Sequence, residues 1–154
     1  MRAEATIQRP RPGSDNIDPT TLVATGLRAI ARIAEAWALT GAQMATLLGV
    51  SRSTYYRLLR AAVAVRDAEA VDQDAVRMLK PATDGPVRER LSLILGIYRG
   101  LHLYFSMNQA SADEWISHPN TSPVFGGQSA KEMMLAGSVS NLVRVRQYVD
   151  ALLV

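Results

Sequence analysis

The sequence predicts an all-α protein in which a bundle of short helices is followed by a small second helical domain. Apolar residues recur three or four positions apart along most of the chain, which is the spacing of one helix face. Pairs in which a Ser or Thr precedes a Gln or Glu by three residues mark several helix starts. No convincing strand pattern occurs, so both halves of the chain are expected to be helical.

The composition limits the classes of protein to consider. With 154 residues, the chain is long enough for one domain or for two small ones with a buried core. It contains no cysteine, which excludes a disulfide framework, thiol chemistry and cysteine-based zinc sites. The N-terminus lacks the apolar run of a signal peptide, and no apolar stretch is long enough to cross a bilayer. We therefore expect a cytoplasmic protein without a membrane partner.

Charge is distributed unevenly along the chain. Residues 1–66 hold nine Lys and Arg against four Asp and Glu, a net charge of +5. Residues 67–154 hold eight against ten, a net charge of −2. An asymmetry of this sign places the attraction for polyanions such as DNA in the N-terminal half. The C-terminal half is expected to have a different function.

Residues 1–19 are expected to form a flexible basic arm. They include an Arg-Pro-Arg-Pro-Gly segment and few residues that could be buried. The side chains of Arg2, Arg9 and Arg11 could follow a DNA backbone, although the arm could equally be an inert tail.

The first predicted helix begins at Thr20 or Thr21 and ends at about Leu39. Its apolar residues have helical spacing, and we interpret it as scaffold. Trp37, near its end, is expected to seal this helix against the two that follow.

Residues 40–60 have the pattern of two short helices joined by a tight turn. Thr40 and Gln43 form a capping box at the start of the first of them. Gly49 follows its last residue, where a left-handed backbone conformation is unstrained only for glycine. Ser51 can accept hydrogen bonds from the free N–H groups that begin the second helix. The segment resembles the DNA-binding helix-turn-helix, within a domain expected at residues 20–70. Tyr55 stands where that motif usually has an aliphatic residue.

The outer face of the second helix carries the candidate DNA-binding residues. Arginine can bind a guanine edge through two hydrogen bonds or bind a phosphate, and serine can donate to either. A tyrosine could contact a thymine methyl group or a phosphate. A solvated basic helix face is the simpler alternative, and which arginine reads a base is left open. The candidates are Ser51, Arg52, Ser53, Tyr56, Arg57 and Arg60.

A short helix is predicted to begin at Asp72, and the segment of residues 80–86 to end it. Asp84 is a plausible N-cap for the next helix, which carries the longest apolar stripe in the chain. This central helix of the second domain is expected to bury most of its aromatic residues. They are Tyr98, Tyr104 and Phe105.

Three further helix starts are predicted in the remainder of the chain. Capping boxes at Ser111 and Ser129 begin two short helices, and Gly137 ends the second of these. The last helix is expected from about Ser138 to the C-terminus.

Residues 115–137 carry more features than a helix bundle needs. Here the chain resembles the Xre/MbcA/ParS-type antitoxins. Their C-terminal toxin-binding domain has a tryptophan, a Pro-Asn turn, a glycine-rich turn before a helix, and a glycine before the final helix. With the helix-turn-helix, the resemblance covers roughly residues 20–154, although Ala130 stands where the family commonly has proline. The matching residues are Trp115, Pro119, Asn120, Phe125, Gly126, Gly127, Ser129 and Gly137.

This resemblance implies an antitoxin of a type II toxin-antitoxin system. Its N-terminal domain would bind operator DNA and regulate its own operon. Its second domain, residues 71–154, would bind a cognate RES-type toxin, which degrades NAD or uses it for ADP-ribosylation, and would occlude the toxin's active site. Because helix-turn-helix proteins usually dimerise, a homodimer or a higher hetero-oligomer with toxin is expected.

The resemblance also implies which residues contact the toxin. In related complexes the C-terminal region of the antitoxin lies at the mouth of the toxin's NAD pocket. An arginine there could mimic or repel charged substrate groups, and the carboxy terminus could plug the entrance. The candidates are Trp115, Asn120, Phe125, Gly126, Gly127, Ser129, Arg144, Tyr148, Leu152, Leu153 and Val154.

Alternatives stay open for each part of this set. Trp115 and Phe125 could be core residues or interface anchors, since aromatic side chains serve as both. The Gly126-Gly127 pair could be a simple turn. The terminal apolar stripe could close the core or a dimer seam.

Catalysis is not expected, and neither a cofactor nor a metal is predicted. The two histidines, His102 and His118, have no metal-ligand spacing, and no nucleophile is paired with a base. The main competing hypothesis is a stand-alone helix-turn-helix transcriptional regulator whose C-terminal domain dimerises or senses a ligand.

Overall fold

The computed structural model of the chain describes residues 17–67 and 72–154. Over these residues the backbone forms eight α-helices and one short 3₁₀ turn at Lys80–Ala82, with no extended strand. The predicted all-α fold is thereby confirmed. The helices are α1 (Pro19–Ala36), α2 (Gly41–Leu48), α3 (Arg52–Asp67), α4 (Gln73–Leu79), α5 (Gly85–Tyr104), α6 (Gln109–Trp115), α7 (Ala130–Leu135) and α8 (Val139–Ala151).

Helix α1 begins and ends earlier than its sequence suggested. The N-cap is Asp18, whose carboxylate accepts from the Thr21 backbone N–H at 3.1 Å, and Pro19 occupies the first helical position. The prediction of a start at Thr20 or Thr21 was therefore wrong. The helix ends at Ala36 rather than at about Leu39, because Ala38 has a positive φ of 50° that breaks the helical path.

Helices α1, α2 and α3 enclose the core of the N-terminal half. Trp37 directly follows α1 and has only 1% of its surface exposed, and its ring lies 6.0 Å from that of Tyr98 on α5. This ring contact is with the second half, so the sealing of α1 against α2 and α3 stays a prediction. The other fully buried side chains there come from all three helices and include Leu27, Ile30, Met44, Leu48 and Ala62.

Helix α5 is the longest helix and the centre of the second half. Asp84 occupies its N-cap position, but the carboxylate makes no capping hydrogen bond. Ile97 is fully buried. Tyr104 was expected in the core, but 48% of its surface is exposed, because the helix ends at this residue and its ring packs edge-on against Phe105, at 4.9 Å, instead of in the core.

Helices α6, α7 and α8 complete the second half. The N-cap of α6 is Asn108, whose side chain accepts from the Ser111 backbone N–H at 3.3 Å, so the predicted capping box at Ser111 was wrong. The capping box at Ser129 is confirmed at the start of α7. Ser138 caps α8 through the Ser140 backbone N–H at 3.2 Å, as predicted.

One hydrophobic core runs through both halves of the described chain. Helix α1 packs on α5 at Gly26, where an added Cβ would lie 3.0 Å from a methyl group of Leu91. Helix α2 also packs on α5 and α7. The division into domains at residues 70 and 71 stays a prediction, and it falls at residues 68–71, outside the described residues. Most of the predicted basic arm, including Arg2, Arg9 and Arg11, also lies outside them.

In the part of the chain that the structure describes, no helix is both long enough and apolar enough to span a membrane.

Candidate functional site

The helix pair α2–α3 has the local geometry that its sequence predicted. The Thr40 hydroxyl accepts from the Gln43 backbone N–H at 3.1 Å, and the Gln43 side chain accepts from the Thr40 backbone N–H at 2.9 Å. Gly49 is left-handed, with φ of 70°, and ends α2. The Ser51 hydroxyl accepts from the Thr54 backbone N–H at 3.1 Å and begins α3. These contacts fix the turn between the two helices, and each cap stabilises it by about 1 kcal/mol.

Tyr55 turns inward, as expected, and is almost fully buried. Burial raises the pKa of its phenol above the usual value of 10.0, and the neighbouring Tyr56 raises it further. The two rings lie 5.3 Å apart with a tilt of 56°. Tyr55 therefore fills the space between helices that an aliphatic residue usually fills in this motif.

The six candidate DNA-binding residues all lie exposed on α3 or at its N-cap. The Arg52 guanidinium carbon lies 5.8 Å from the centre of the Tyr56 ring, a cation–π contact. The Tyr56 hydroxyl lies over the start of α2, where a Cβ added to Gly41 would come within 2.1 Å of it. Tyr56 is therefore held in place, while the arginines face solvent. We name this surface the α3 face: Ser51, Arg52, Ser53, Tyr56, Arg57 and Arg60.

A cluster of three aromatic rings joins α6, the loop that follows it, and α8. The Trp115 ring stacks on the Tyr148 ring at 6.0 Å with an interplanar angle of 19°. The Phe125 ring meets Tyr148 edge-on at 4.9 Å and Trp115 at 5.9 Å. Such pairs contribute about 0.5–1.5 kcal/mol each beyond the area they bury. The cluster brings together three residues of the predicted toxin site that are far apart in sequence.

The Gly126-Gly127 turn projects from this cluster into solvent. Both glycines have positive φ, 57° and 86°, and an added Cβ would meet no atom within 4 Å at either one. Asn120 supports the loop, because its side chain accepts from the Ser122 N–H at 2.9 Å and its own N–H donates to the Gln128 carbonyl at 3.0 Å. The turn is therefore the exposed part of an otherwise fixed loop.

Two of the predicted toxin-site residues are buried. Phe125 has 1% of its surface exposed and Ser129 has 3%. The Ser129 hydroxyl accepts from the Glu132 backbone N–H at 3.1 Å, and the Glu132 carboxylate accepts from the Ser129 backbone N–H at 2.8 Å. Phe125 and Ser129 thus support the loop from its buried side.

The same capping box gives an expected pH dependence. Hydrogen bonds from the Ser129 backbone N–H and hydroxyl hold the pKa of Glu132 below its usual 4.5. A lowered folded-state pKa means that this contribution to stability is present above pH 4.5 and is lost as pH falls through the folded-state pKa. In urea unfolding between pH 3 and 6, Glu132→Gln, which keeps the acceptor but does not titrate, should lose less stability on acidification than the wild type. Parallel pH profiles for the two proteins would contradict this.

The exposed side of α8 lies next to the aromatic cluster. Arg144, Tyr148 and Leu152 are four residues apart, so they form one stripe along the helix. Arg144 is exposed, Leu152 is half-buried, and Leu153 and Val154 are exposed at the end of the chain. We name the Gly126-Gly127 turn and this stripe together the turn–helix face.

Two cations that the sequence analysis did not single out connect the halves of the molecule. The Arg90 guanidinium on α5 donates to the Leu47 carbonyl at 3.1 Å and to the Gly137 carbonyl at 3.0 Å. The Lys131 ammonium on α7 donates to the Trp37 carbonyl at 3.0 Å and to the Ala38 carbonyl at 3.2 Å. Helix α2 is thus held near both ends by residues of the second half. Their acceptors are backbone carbonyls, which no side-chain motif marks.

His102 joins α5 to α6. Its Nε2 atom lies 2.8 Å from the Asp113 carboxylate, and its Nδ1 atom contacts Gln109. The Tyr98 ring packs on the imidazole at 4.1 Å. Burial raises the pKa of Tyr98, and the charge of Asp113 raises it further. This cluster holds α6, and therefore Trp115, against the central helix.

The segment that carries the α3 face and the segment that carries the turn–helix face each resemble known proteins. Residues 20–70 match the family model of the antitoxin Xre-like helix-turn-helix domain. Residues 101–153 match the model of the antitoxin Xre/MbcA/ParS C-terminal toxin-binding domain. The chain is also 35% identical over 143 residues to an uncharacterised protein, y4oB, of Sinorhizobium fredii. That alignment covers 92% of this chain and 95% of the relative.

Proposed function

The chain belongs to the Xre/MbcA/ParS-type antitoxins, and from this premise we propose that it neutralises a RES-type toxin by covering the toxin's NAD site. As a member of this family it combines a DNA-binding helix-turn-helix domain with a toxin-binding domain. The identity of the toxin, the manner of inhibition and the residues that perform both functions belong to the proposal.

The observation that carries the toxin-binding proposal is the Trp115–Phe125–Tyr148 cluster. It fixes the Gly126-Gly127 turn beside the exposed stripe of α8, so that one surface contains most of the predicted contact residues. Interfaces of high affinity concentrate their energy in aromatic and arginine residues on a rigid support. We propose that Trp115, Tyr148 and Arg144 contact the toxin directly, and that Asn120, Phe125 and Ser129 position the loop.

Leu153 and Val154 extend the same surface. Leu153 is 44% exposed and Val154 is fully exposed, immediately after the α8 stripe that ends at Leu152. Residues at this place can enter a pocket that the rest of the face covers. We propose that they block the entrance of the toxin's NAD pocket, while Arg144 interacts with groups that recognise the anionic substrate.

The α3 face supports the second part of the proposal, which is repression of the antitoxin's own operon. Three exposed arginines and two serines on one short, capped helix match the groups that contact phosphates and guanine edges. Reading an operator in two half-sites requires two copies of the helix, so we propose that a homodimer, or a larger complex with toxin, binds the DNA.

Co-expression with the product of the adjacent gene in the operon tests the toxin-binding proposal. We compare wild type with Gly127→Gln on the turn and Gly85→Gln at the start of α5. Gly85 also has a positive φ, 70°, and equally open surroundings, so both changes add the same side chain at a strained backbone position, at a cost of about 1–2 kcal/mol. Gly127→Gln should lose at least tenfold in affinity for the toxin in a pull-down titration and fail to restore growth, whereas Gly85→Gln should behave as wild type.

The outcomes separate the parts of the proposal. Equal toxin binding by both glycine variants would place the interface elsewhere on the chain. A neighbouring product that neither binds the wild-type chain nor impairs growth would contradict neutralisation of that product. Cellular NAD, measured with the toxin expressed alone, should fall if the toxin degrades NAD. An ADP-ribosylated protein with little loss of NAD would indicate transfer instead.

A further inference from the structure

A basic groove between α1 and α3 lies outside the α3 face. Its volume is about 440 Å³. Arg28 and Arg32 of α1 and Arg66 of α3 line it, together with the apolar side chains of Leu59 and Val63. No Asp or Glu occurs among the described residues that line it. The groove therefore presents positive charge over an apolar surface.

The two arginines of α1 are held differently. The Arg28 guanidinium donates to the Ala62 carbonyl at 2.7 Å and to the Thr25 hydroxyl at 3.0 Å, which fixes its charge between the helices. Arg32 is exposed, and its guanidinium makes no hydrogen bond or ion pair with any other residue that the structure describes. Glu35 lies three residues further along α1, but its carboxylate forms no ion pair with Arg32. Arg32 is therefore a cation that is available to an external anion.

The groove continues one edge of the α3 face. Along α3, the residues Arg52, Tyr56, Leu59, Val63 and Arg66 follow one another by three or four positions, so they form a single stripe. Arg52 and Tyr56 belong to the α3 face, and the other three line the groove. A surface that binds bases through the first part of this stripe brings DNA close to its second part.

The length of α3 indicates which part of the DNA would lie there. Arg52 and Val63 are separated by about 16 Å at the helical rise of 1.5 Å per residue. A recognition helix contacts base edges through its N-terminal residues. When Arg52 is at the base edges, the Val63 end of α3 therefore lies away from those bases, towards the flanking phosphodiester backbone.

We propose that the α1–α3 groove is a second DNA-contact site, which binds the phosphodiester backbone beside the bases that the α3 face reads. Arg32 contacts a phosphate, and Arg28 adds a fixed positive charge. The proposal rests on the proposed DNA-binding function and adds a site to it. A polyanion is favoured over an acidic protein segment because the groove is continuous with the α3 face and lies in the half of the chain with net charge +5.

The test measures how binding depends on salt. Arg32→Gln, Arg32→Lys and the control Arg99→Gln, which removes the same charge from the exposed side of α5, are titrated by fluorescence anisotropy between 50 and 200 mM salt. The probes are a duplex from upstream of the chain's own operon and a random duplex of equal length. Loss of one phosphate contact should reduce the slope of log affinity against log salt by about 0.9 on both duplexes. Arg32→Gln should bind about five- to tenfold more weakly at 100 mM salt, and Arg32→Lys should recover most of the loss.

Three results would overturn the inference. They are a wild-type slope for Arg32→Gln, an equal change in Arg99→Gln, and an Arg32→Gln variant that binds DNA normally but captures the toxin poorly. The last would assign the groove to a protein partner. A double replacement of Arg52 and Arg57 distinguishes failure of the groove proposal from failure of the proposed DNA-binding function. If it weakens DNA binding while Arg32→Gln does not, only the groove proposal fails. If it too has no effect, the proposed DNA-binding function of the α3 face fails.

Discussion

Replacing Arg52 and Arg57 together with glutamine is expected to weaken binding to DNA from upstream of the chain's own operon by about 100-fold or more. Both side chains lie exposed on the first two turns of α3, the part of a recognition helix that reaches base edges. Each arginine contact to a guanine edge is worth about 1–3 kcal/mol, and tenfold in affinity corresponds to about 1.4 kcal/mol. The affinity is measured by anisotropy at one fixed salt concentration.

The matched control removes two arginines of the second half, Arg99 and Arg144, which are exposed on α5 and α8. It changes the net charge by the same amount, so it should weaken binding only slightly. Because Arg52 and Arg57 are exposed and the variant loses only the cation–π contact of Arg52 with Tyr56, it should unfold within about 4 °C of wild type. Unchanged operator affinity in this variant would contradict the proposal that α3 recognises the operator.

The two parts of the chain were predictable to different degrees. In the helix-turn-helix, each structural signal is local: Thr40 with Gln43, Gly49 alone, and Ser51 with Thr54 act within one turn of a helix. Local contacts depend on residue type at fixed spacing, so the sequence was sufficient to predict them. The Ser129 capping box was predictable for the same reason.

Caps with more than one eligible residue were harder to predict. Asp18 and Asn108 cap α1 and α6, although Thr20 and Ser111 nearby satisfy the same rule. The choice between them depends on where the chain turns away from its neighbours, which is a property of the packed structure. Tyr104 illustrates the same limit, because its helical spacing matches the core stripe but nearly half of its surface is exposed at the end of the helix.

Contacts between distant segments could not be predicted from one sequence. Arg90 and Lys131 bind carbonyls of Leu47, Gly137, Trp37 and Ala38, and any exposed arginine or lysine has the same chemistry. The aromatic cluster is intermediate. The resemblance indicated Trp115, Phe125 and Tyr148 as a set, but only the three-dimensional arrangement shows that Phe125 is buried beneath the turn while Tyr148 joins the other two rings.

Tyr148→Ala is expected to abolish toxin capture, because this ring of α8 contacts the rings of both Trp115 and Phe125. Its loss frees the Gly126-Gly127 turn from α8. The half-buried ring should contribute about 2–3 kcal/mol to the free energy of unfolding, less than the 3–5 kcal/mol of a fully buried aromatic residue. The unfolding temperature should therefore fall by about 5–10 °C.

Two variants distinguish a lost binding surface from a weakened fold. Tyr148→Phe keeps the ring and should retain stability and most of the toxin binding. Ile97→Ala removes a fully buried side chain of α5 that is not part of the turn–helix face, at a similar cost of about 2–5 kcal/mol. Toxin binding is measured by titration at a temperature where all three variants are folded. Only Tyr148→Ala should fail to bind toxin, and it should still bind the operator through α3. If Ile97→Ala loses toxin binding to the same extent, the effect is one of stability, and the aromatic cluster does not organise the interface.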